Sequence, residues 1–253
     1  MVPAVRFPNI LLSCCVALAL VAWPAAAHAH DMSPAETCVA VNDGLSLGAA
    51  LPQTAAALKA HQTLKIVAIG SSSTVGLWMV RKEKTYPGVM RAELLRLDPS
   101  MQIEIVNAGR NGDTIPGNIA RFERDVFAHR PDLVIWQIGG NDLTWGEGID
   151  SLEHKIASGV AMLRAQGADV ILMDQQYTPV ILATHYAKMQ AAIAAVARDQ
   201  QVAYLPRFDM LHKTVQAGVS IVSLSAFDGL HMSGDAYDCT GRVLARAIMA
   251  AVK

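Results

Sequence analysis

The sequence predicts a single α/β domain built on a mostly parallel sheet with helices on both faces. Three observations predict it. Short β-rich runs alternate with longer stretches that repeat apolar residues at helical spacing, the rhythm of successive βαβ units. Runs such as Leu133-Val134-Ile135-Trp136 are apolar without alternation, as in a parallel strand covered on both sides. The chain's 253 residues, 52% hydrophobic and 17% charged, suffice for one sizeable core and exclude a disordered or fibrous protein.

The first 29 residues read as an export signal. Arg6 precedes an apolar run from Ile10 to Trp23, Pro24 follows, and Ala27-His28-Ala29 supplies the small residues of a signal-peptidase site. A membrane anchor is the alternative, but the run is short for the ~20 residues of a span. Leu12-Ser13-Cys14 resembles a lipoprotein box only faintly, because too much apolar sequence follows Cys14. The expectation is a soluble mature chain starting near His30, periplasmic or secreted, with no stable membrane insertion. Losing Arg6 with the signal moves the formal net charge from −1 to −2. No basic stripe or polybasic run is present, so neither nucleic acid nor an anionic membrane surface is an expected partner.

Of the four cysteines, Cys14 and Cys15 leave with the signal, and Cys38 and Cys239 remain. A pair left over in an exported protein reads as a disulfide, here tying the N-terminal segment to the last helix. Closing so long a loop contributes roughly 2–4 kcal/mol.

Residues 30–63, Ala-rich and carrying Pro34, Gly44 and Pro52, read as a lead-in with one short helix near Gln53 to Ala60. The domain proper spans 64–253. Its expected strands are Leu64 to Ile69, Gln102 to Val106, Leu133 to Ile138, Val170 to Met173 and Val202 to Leu205. Between and after them, Tyr86 to Leu97, Ile115 to Ala128, Ser151 to Ala165, Thr184 to Asp199 and Gly234 to Val252 have helical periodicity. No repeat, low-complexity tract or linker divides this span.

Ligands of open parallel sheets sit beyond the C-terminal ends of the strands. The first expected strand runs into Gly70-Ser71-Ser72-Ser73-Thr74-Val75-Gly76, a small-residue turn presenting hydroxyls but lacking the Lys of a P-loop and the spacing of a dinucleotide fingerprint. The second is followed by Asn107-Ala108-Gly109-Arg110-Asn111-Gly112-Asp113-Thr114, where glycine lets backbone approach a substrate. The third ends in Gly139-Gly140-Asn141-Asp142, placing a side-chain amide where it can donate to a developing oxyanion. Near the C-terminus, Asp228-Gly229-Leu230-His231 lets a carboxylate accept from one ring nitrogen while the other faces outward as a base. Each alone is matched by an ordinary turn or cap; the four together, in this order, are far less common.

From about Lys65 to Val252 the sequence resembles the SGNH (GDSL) hydrolase superfamily, whose four blocks are a Ser, a Gly, an Asn and an Asp-x-x-His. The resemblance implies a flavodoxin-like αβα sandwich of about five parallel strands. It also implies Ser72 as nucleophile and first oxyanion donor through its N–H, Gly112 and the Asn141 amide as the other donors, His231 as general base, and Asp228 as its orienter. Tyr86-Pro87 and Trp136-Gln137-Ile138-Gly139 fit members associated with the bacterial envelope. Two departures stand out. The usual Gly-Asp-Ser-Leu is Gly70-Ser71-Ser72-Ser73, and the common Pro after the histidine is Met232.

These residue types serve one chemistry, because a serine hydroxyl needs an imidazole to take its proton and a tetrahedral oxyanion needs preorganised donors. The implied activity is carboxylic-ester hydrolysis on small-molecule or carbohydrate esters, with acetylated carbohydrate, lysophospholipids, thioesters and aryl esters all within its reach. An acyltransferase shares the first half-reaction and is the alternative enzyme; a non-catalytic binding module is the alternative from another class. His61, His129, His154, His185 and His212 lack metal-ligand spacing, so no metal and no cofactor is expected. Oligomeric state and acyl length are left open by the sequence.

Overall fold

The computed structural model describes Met1 and residues 32–79, 81–145 and 149–253. The expected export signal, its Ala27-His28-Ala29 site, Cys14 and Cys15 lie outside the described residues, as do Val80 and residues 146–148.

Among the described residues five strands form one fully parallel sheet: β1 (Leu64–Gly70), β2 (Ile103–Gly109), β3 (Leu133–Gln137), β4 (Asp169–Met173) and β5 (Ala203–Leu205). Their order is β2-β1-β3-β4-β5. The chain thus leaves β1 toward one edge and returns to build the other half, which puts a topological switch point between β1 and β3. Register aligns the ends there, with Gly70 paired to Gly109 and Ile69 to Trp136.

The helices follow from capping and periodicity. Ahead of the sheet lie α1 (Pro34–Val41) and α2 (Pro52–Lys59). Only α2 was expected in this lead-in, although Ser33 and Glu36 close a capping box around the start of α1, a sequence-readable signal. After β1 come the one-turn α3 (Ser72–Val75) and then α4 (Tyr86–Leu97), with the expected bounds. The helix expected over Ile115 to Ala128 is instead broken into α5 (Ile115–Ile119), α6 (Phe122–Asp125) and a 3-10 turn, Phe127–His129. Arg121 sits at the break with φ −117° and ψ 8°. Its buried guanidinium reaches back to Asp113 and to the carbonyls of Ala108 and Gly70. Satisfying those loop groups outweighs one continuous helix.

Beyond β3 run α7 (Gly140–Trp145) and α8 (Ile149–Ala165), then α9 (Pro179–Leu182) and α10 (Tyr186–Asp199) after β4. Finally α11 (Arg207–Gln216) and α12 (Ile221–Leu224) precede α13 (Gly234–Ala251), which Ser233 caps. Helix α11 was not anticipated.

Alternate strand residues face two separate cores. Ile66, Ala68, Leu133, Ile135 and Met173 pack with residues of α1, α4, α11 and α13 on one face. On the other, Val67, Ile69, Val134, Trp136 and Leu172 meet α5, α6, α8 and α10. This is the expected αβα sandwich, its strands apolar throughout because both faces are covered. At the β5 edge, Tyr204 N–H donates to Leu47 O at 2.9 Å, so the lead-in covers an edge open to other chains. Cys38 of α1 and Cys239 of α13 form a disulfide with Cα atoms 5.8 Å apart. Among the described residues no helix is long and apolar enough to cross a membrane.

Candidate active site

Ser72 is the first residue of α3, immediately past the end of β1, and is nearly buried at 6% exposure. A strand that turns at once into a helix leaves the first N–H groups of that helix without intrahelical partners. The turn is tight enough to require glycine at its base: a Cβ on Gly70 would meet Thr74 and, at 2.8 Å, both Gln137 O and Gln137 Oε1. Gly109, opposite it on β2, lies against the backbone of Thr74 and Val75.

Two residues that sequence reasoning left out fix this turn. Gln137, the last residue of β3, accepts from Ser71 N–H and Ser71 Oγ at 3.0 Å each and from Thr74 Oγ1 at 3.2 Å. Ser71 stands where the SGNH block usually has Asp, and its small donor side chain suits a buried amide oxygen. Gln176, beyond β4, accepts from Ser73 Oγ at 3.2 Å and donates to Leu230 O at 2.7 Å, joining the Ser72 turn to the loop before α13. A glutamine ending the apolar β3 and the Gln175-Gln176 pair just past β4 were the available signal. The Tyr86 hydroxyl is 3.2 Å from Thr74 Oγ1, and burial pushes its pKa up to about 12 despite that bond and the nearby Arg207.

The loop Asp228 to His231 turns through Gly229 at φ +66° and closes with an antiparallel bridge between Ser225 and Met232. Asp228 Oδ1 accepts from the N–H of Leu230 at 3.0 Å and of His231 at 2.9 Å. Its Oδ2 lies 2.7 Å from His231 Nδ1, and His231 Nε2 lies 2.8 Å from Ser72 Oγ. The carboxylate on Nδ1 holds that nitrogen protonated and leaves Nε2 as the acceptor for the serine proton. Burial works against charge on Asp228. The backbone and ring N–H of His231, with Trp78 and Leu230, outweigh it and hold the carboxyl far below the usual range. Met232, where the superfamily commonly has proline, is fully buried.

Gly112 has φ +72°, and the direction its Cβ would take is open to at least 4 Å. The adjoining Asp113 is locked by Asn118 Nδ2 and Arg121 Nε, each at 2.6 Å. Asn141 Nδ2 donates to Asp113 O at 2.7 Å. A primary amide carries two N–H donors, so this bond ties Asn141 to the Gly112 loop and leaves the second N–H for another acceptor. Arg110 N–H donates to Gly70 O at 3.0 Å, connecting that loop to the base of the serine turn. The structure thus brings Ser72, His231 and Asp228 into one hydrogen-bonded chain and ties Asn141 to Asp113, the residue after Gly112. Trp78, absent from the sequence reading, donates from Nε1 to Asp228 Oδ2 at 2.8 Å.

Other proteins resemble this chain in sequence and in fold. The chain is 29% identical to the esterase TesA of Pseudomonas aeruginosa over 173 residues, 68% of this chain and 80% of that protein. It is 27% identical to an arylesterase of Vibrio mimicus over 145 residues, 57% of this chain and 70% of the relative. Among solved structures, TesA superposes with a TM-score of 0.63 at 22% identity, covering 74% of this chain and 99% of that one. Axe2, an acetylxylan esterase from Geobacillus stearothermophilus, gives 0.60 at 22% identity, covering 75% and 94%. At such identities the structural likeness establishes the fold. Residues 37–253 match the non-GDSL lipase-like family, so the chain belongs to that family and, with it, to the SGNH/GDSL hydrolase superfamily.

Proposed function

We propose that this chain is a carboxylic-ester hydrolase that works outside the cytoplasm through an acyl-enzyme on Ser72. The observation that carries the mechanism is the continuous chain Ser72 Oγ, His231 Nε2, His231 Nδ1, Asp228 Oδ2, with links of 2.8 and 2.7 Å. Esterase activity itself is supported by relatives named esterase and arylesterase.

In this reading His231 Nε2 takes the Ser72 proton as Oγ attacks the ester carbonyl. Asp228 keeps the imidazole oriented and stabilises its protonated form. The carbonyl oxygen, now an oxyanion, is held by Ser72 N–H, Gly112 N–H and the second N–H of Asn141. His231 then gives its proton to the leaving alcohol, and the acyl-Ser72 ester remains. Water, deprotonated by the same nitrogen, attacks that ester, releases the carboxylic acid and returns the proton to Ser72. No step calls for a cofactor.

Export rests on the apolar N-terminal run ending in Ala27-His28-Ala29 and on the Cys38–Cys239 bridge, a bond typical of oxidising compartments. The mature protein then begins near His30. Substrates are small-molecule or carbohydrate esters.

The test is hydrolysis of p-nitrophenyl acetate, butyrate and octanoate by the wild-type protein, Ser72→Ala and His231→Ala. The expected outcome is turnover by the wild type alone, with kcat reduced in each variant by about 10⁴-fold or more. A fluorophosphonate probe should label the wild type and not Ser72→Ala. Undiminished hydrolysis by Ser72→Ala would exclude the acyl-enzyme.

A further inference from the structure

We propose that Trp78 is a positioning residue of the catalytic centre, holding the Asp228 carboxylate in place from the loop that follows the nucleophile. The inference rests on the acyl-enzyme reading above, and it is carried by Trp78's hydrogen bond, backbone and surroundings.

Asp228 Oδ2 has two donors, His231 Nδ1 at 2.7 Å and Trp78 Nε1 at 2.8 Å. Two backbone N–H groups fix Oδ1, but both come from the carboxylate's own loop and move with it. Trp78 is the donor that comes from elsewhere. It stands six residues after Ser72, and the intervening chain is fastened to the nucleophile, since Gly76 N–H and Leu77 N–H both donate to Ser72 O at 3.0 Å. Serine turn, indole, carboxylate and imidazole therefore close a ring of contacts back to Ser72 Oγ.

The cost of this placement argues for a role. Trp78 has φ +71°, a left-handed conformation that a bulky side chain rarely adopts. Such conformers persist where the surroundings over-determine them and cluster at functional sites. Burial does not compensate, because the side chain is 49% exposed. What fixes the indole is its N–H bond to Asp228 and the ring of Phe227, the residue before Asp228, at 4.7 Å between centroids and 57° between planes. Both partners belong to the Asp228 loop.

A second donor on Oδ2 fixes the carboxylate's rotation whether or not the imidazole is protonated. It acts through Asp228, so its loss should reduce turnover more than substrate binding.

The experiment compares wild type, Trp78→Phe and Trp78→His on p-nitrophenyl acetate at pH 8, with thermal unfolding recorded for each. Phe keeps a ring and removes the donor. Trp78→Phe is expected to lower kcat about tenfold, the scale of one hydrogen bond to a charged group, with KM within about twofold. In the proton NMR spectrum the far-downfield resonance of His231 Nδ1–H should shift, because Oδ2 has lost its competing donor. His retains a ring N–H and tolerates positive φ better than other ring side chains, so Trp78→His should recover part of the lost kcat.

A Trp78→Phe enzyme with wild-type kcat and an unmoved resonance would overturn the proposal, as would a loss confined to KM or to thermal stability. Ser72→Ala, run alongside, separates the two readings. If it retains activity, the acyl-enzyme reading fails; if it is inactive while Trp78→Phe is unimpaired, only the role of Trp78 fails.

Discussion

Asn141, in the first turn of α7 just past β3, illustrates how one hydrogen bond orients a side chain. One N–H is bound to Asp113 O, which fixes the amide plane, so the other N–H points in one direction without further ordering. Replacing it with alanine should lower kcat by about 10²–10³-fold while leaving KM little changed, measured on p-nitrophenyl acetate under saturation. At this scale the sequence pointed to Ser72, Asn141, Asp228 and His231 only as a set, because each motif alone matches an ordinary turn or cap while the four in this order do not. It was silent on Trp78, Gln137 and Gln176. Each of these acts on a residue distant in the chain: Trp78 on Asp228, Gln137 on Ser71, Gln176 on Ser73 and Leu230. A local pattern can flag a glutamine beside an apolar strand, but it does not name the distant partner.

Among the elements, α1 and α13 are joined by the Cys38–Cys239 bridge across 201 residues of sequence. Both cysteines are fully buried in the core that faces α4 and α11. Replacing both with serine removes a constraint on the unfolded chain and should cost roughly 2–4 kcal/mol, read from urea unfolding under non-reducing conditions. An unchanged transition would mean that α1 is held by packing alone. Helix boundaries were legible where one face is apolar and Pro87 stands in the first turn, as in α4, whose observed limits are the expected ones. They were not legible at Arg121. Its helical periodicity is sound, yet the guanidinium is drawn inward by Asp113 and by two carbonyls at the strand ends. The missed α11 has its own cause. Its start is set by Phe208 N–H donating to Asp174 Oδ1 at 3.0 Å, a cap supplied from beyond β4 instead of from the preceding residue.

Asp174 also ties the stability of the whole molecule to pH. Burial raises its pKa to about 7, only partly offset by bonds from the Tyr204 hydroxyl and Phe208 N–H and by the charge on Arg207. Its folded-state pKa lies above the unfolded value of about 4, so between those pH values the folded protein keeps a proton that the unfolded chain has lost. Stability from this group is therefore full below about pH 4 and declines as pH rises toward 7, by roughly 4 kcal/mol at most. Asp174→Asn should match the wild type near pH 4 and exceed it at pH 8, as measured by urea denaturation at both values. The variant keeps the acceptor for Phe208 N–H, and its amide can donate to the Tyr204 oxygen. By itself the sequence determined the strands, their parallel direction and the two-sided sandwich, because burial on both faces and helical periodicity are written in neighbouring residues. Only the tertiary structure decided that β1 and β3 lie side by side, that Ser72 meets His231 across 159 residues, and that Trp78 and two glutamines brace that meeting. Strand order and buried polar partners depend on contacts between distant segments, which local pattern does not encode.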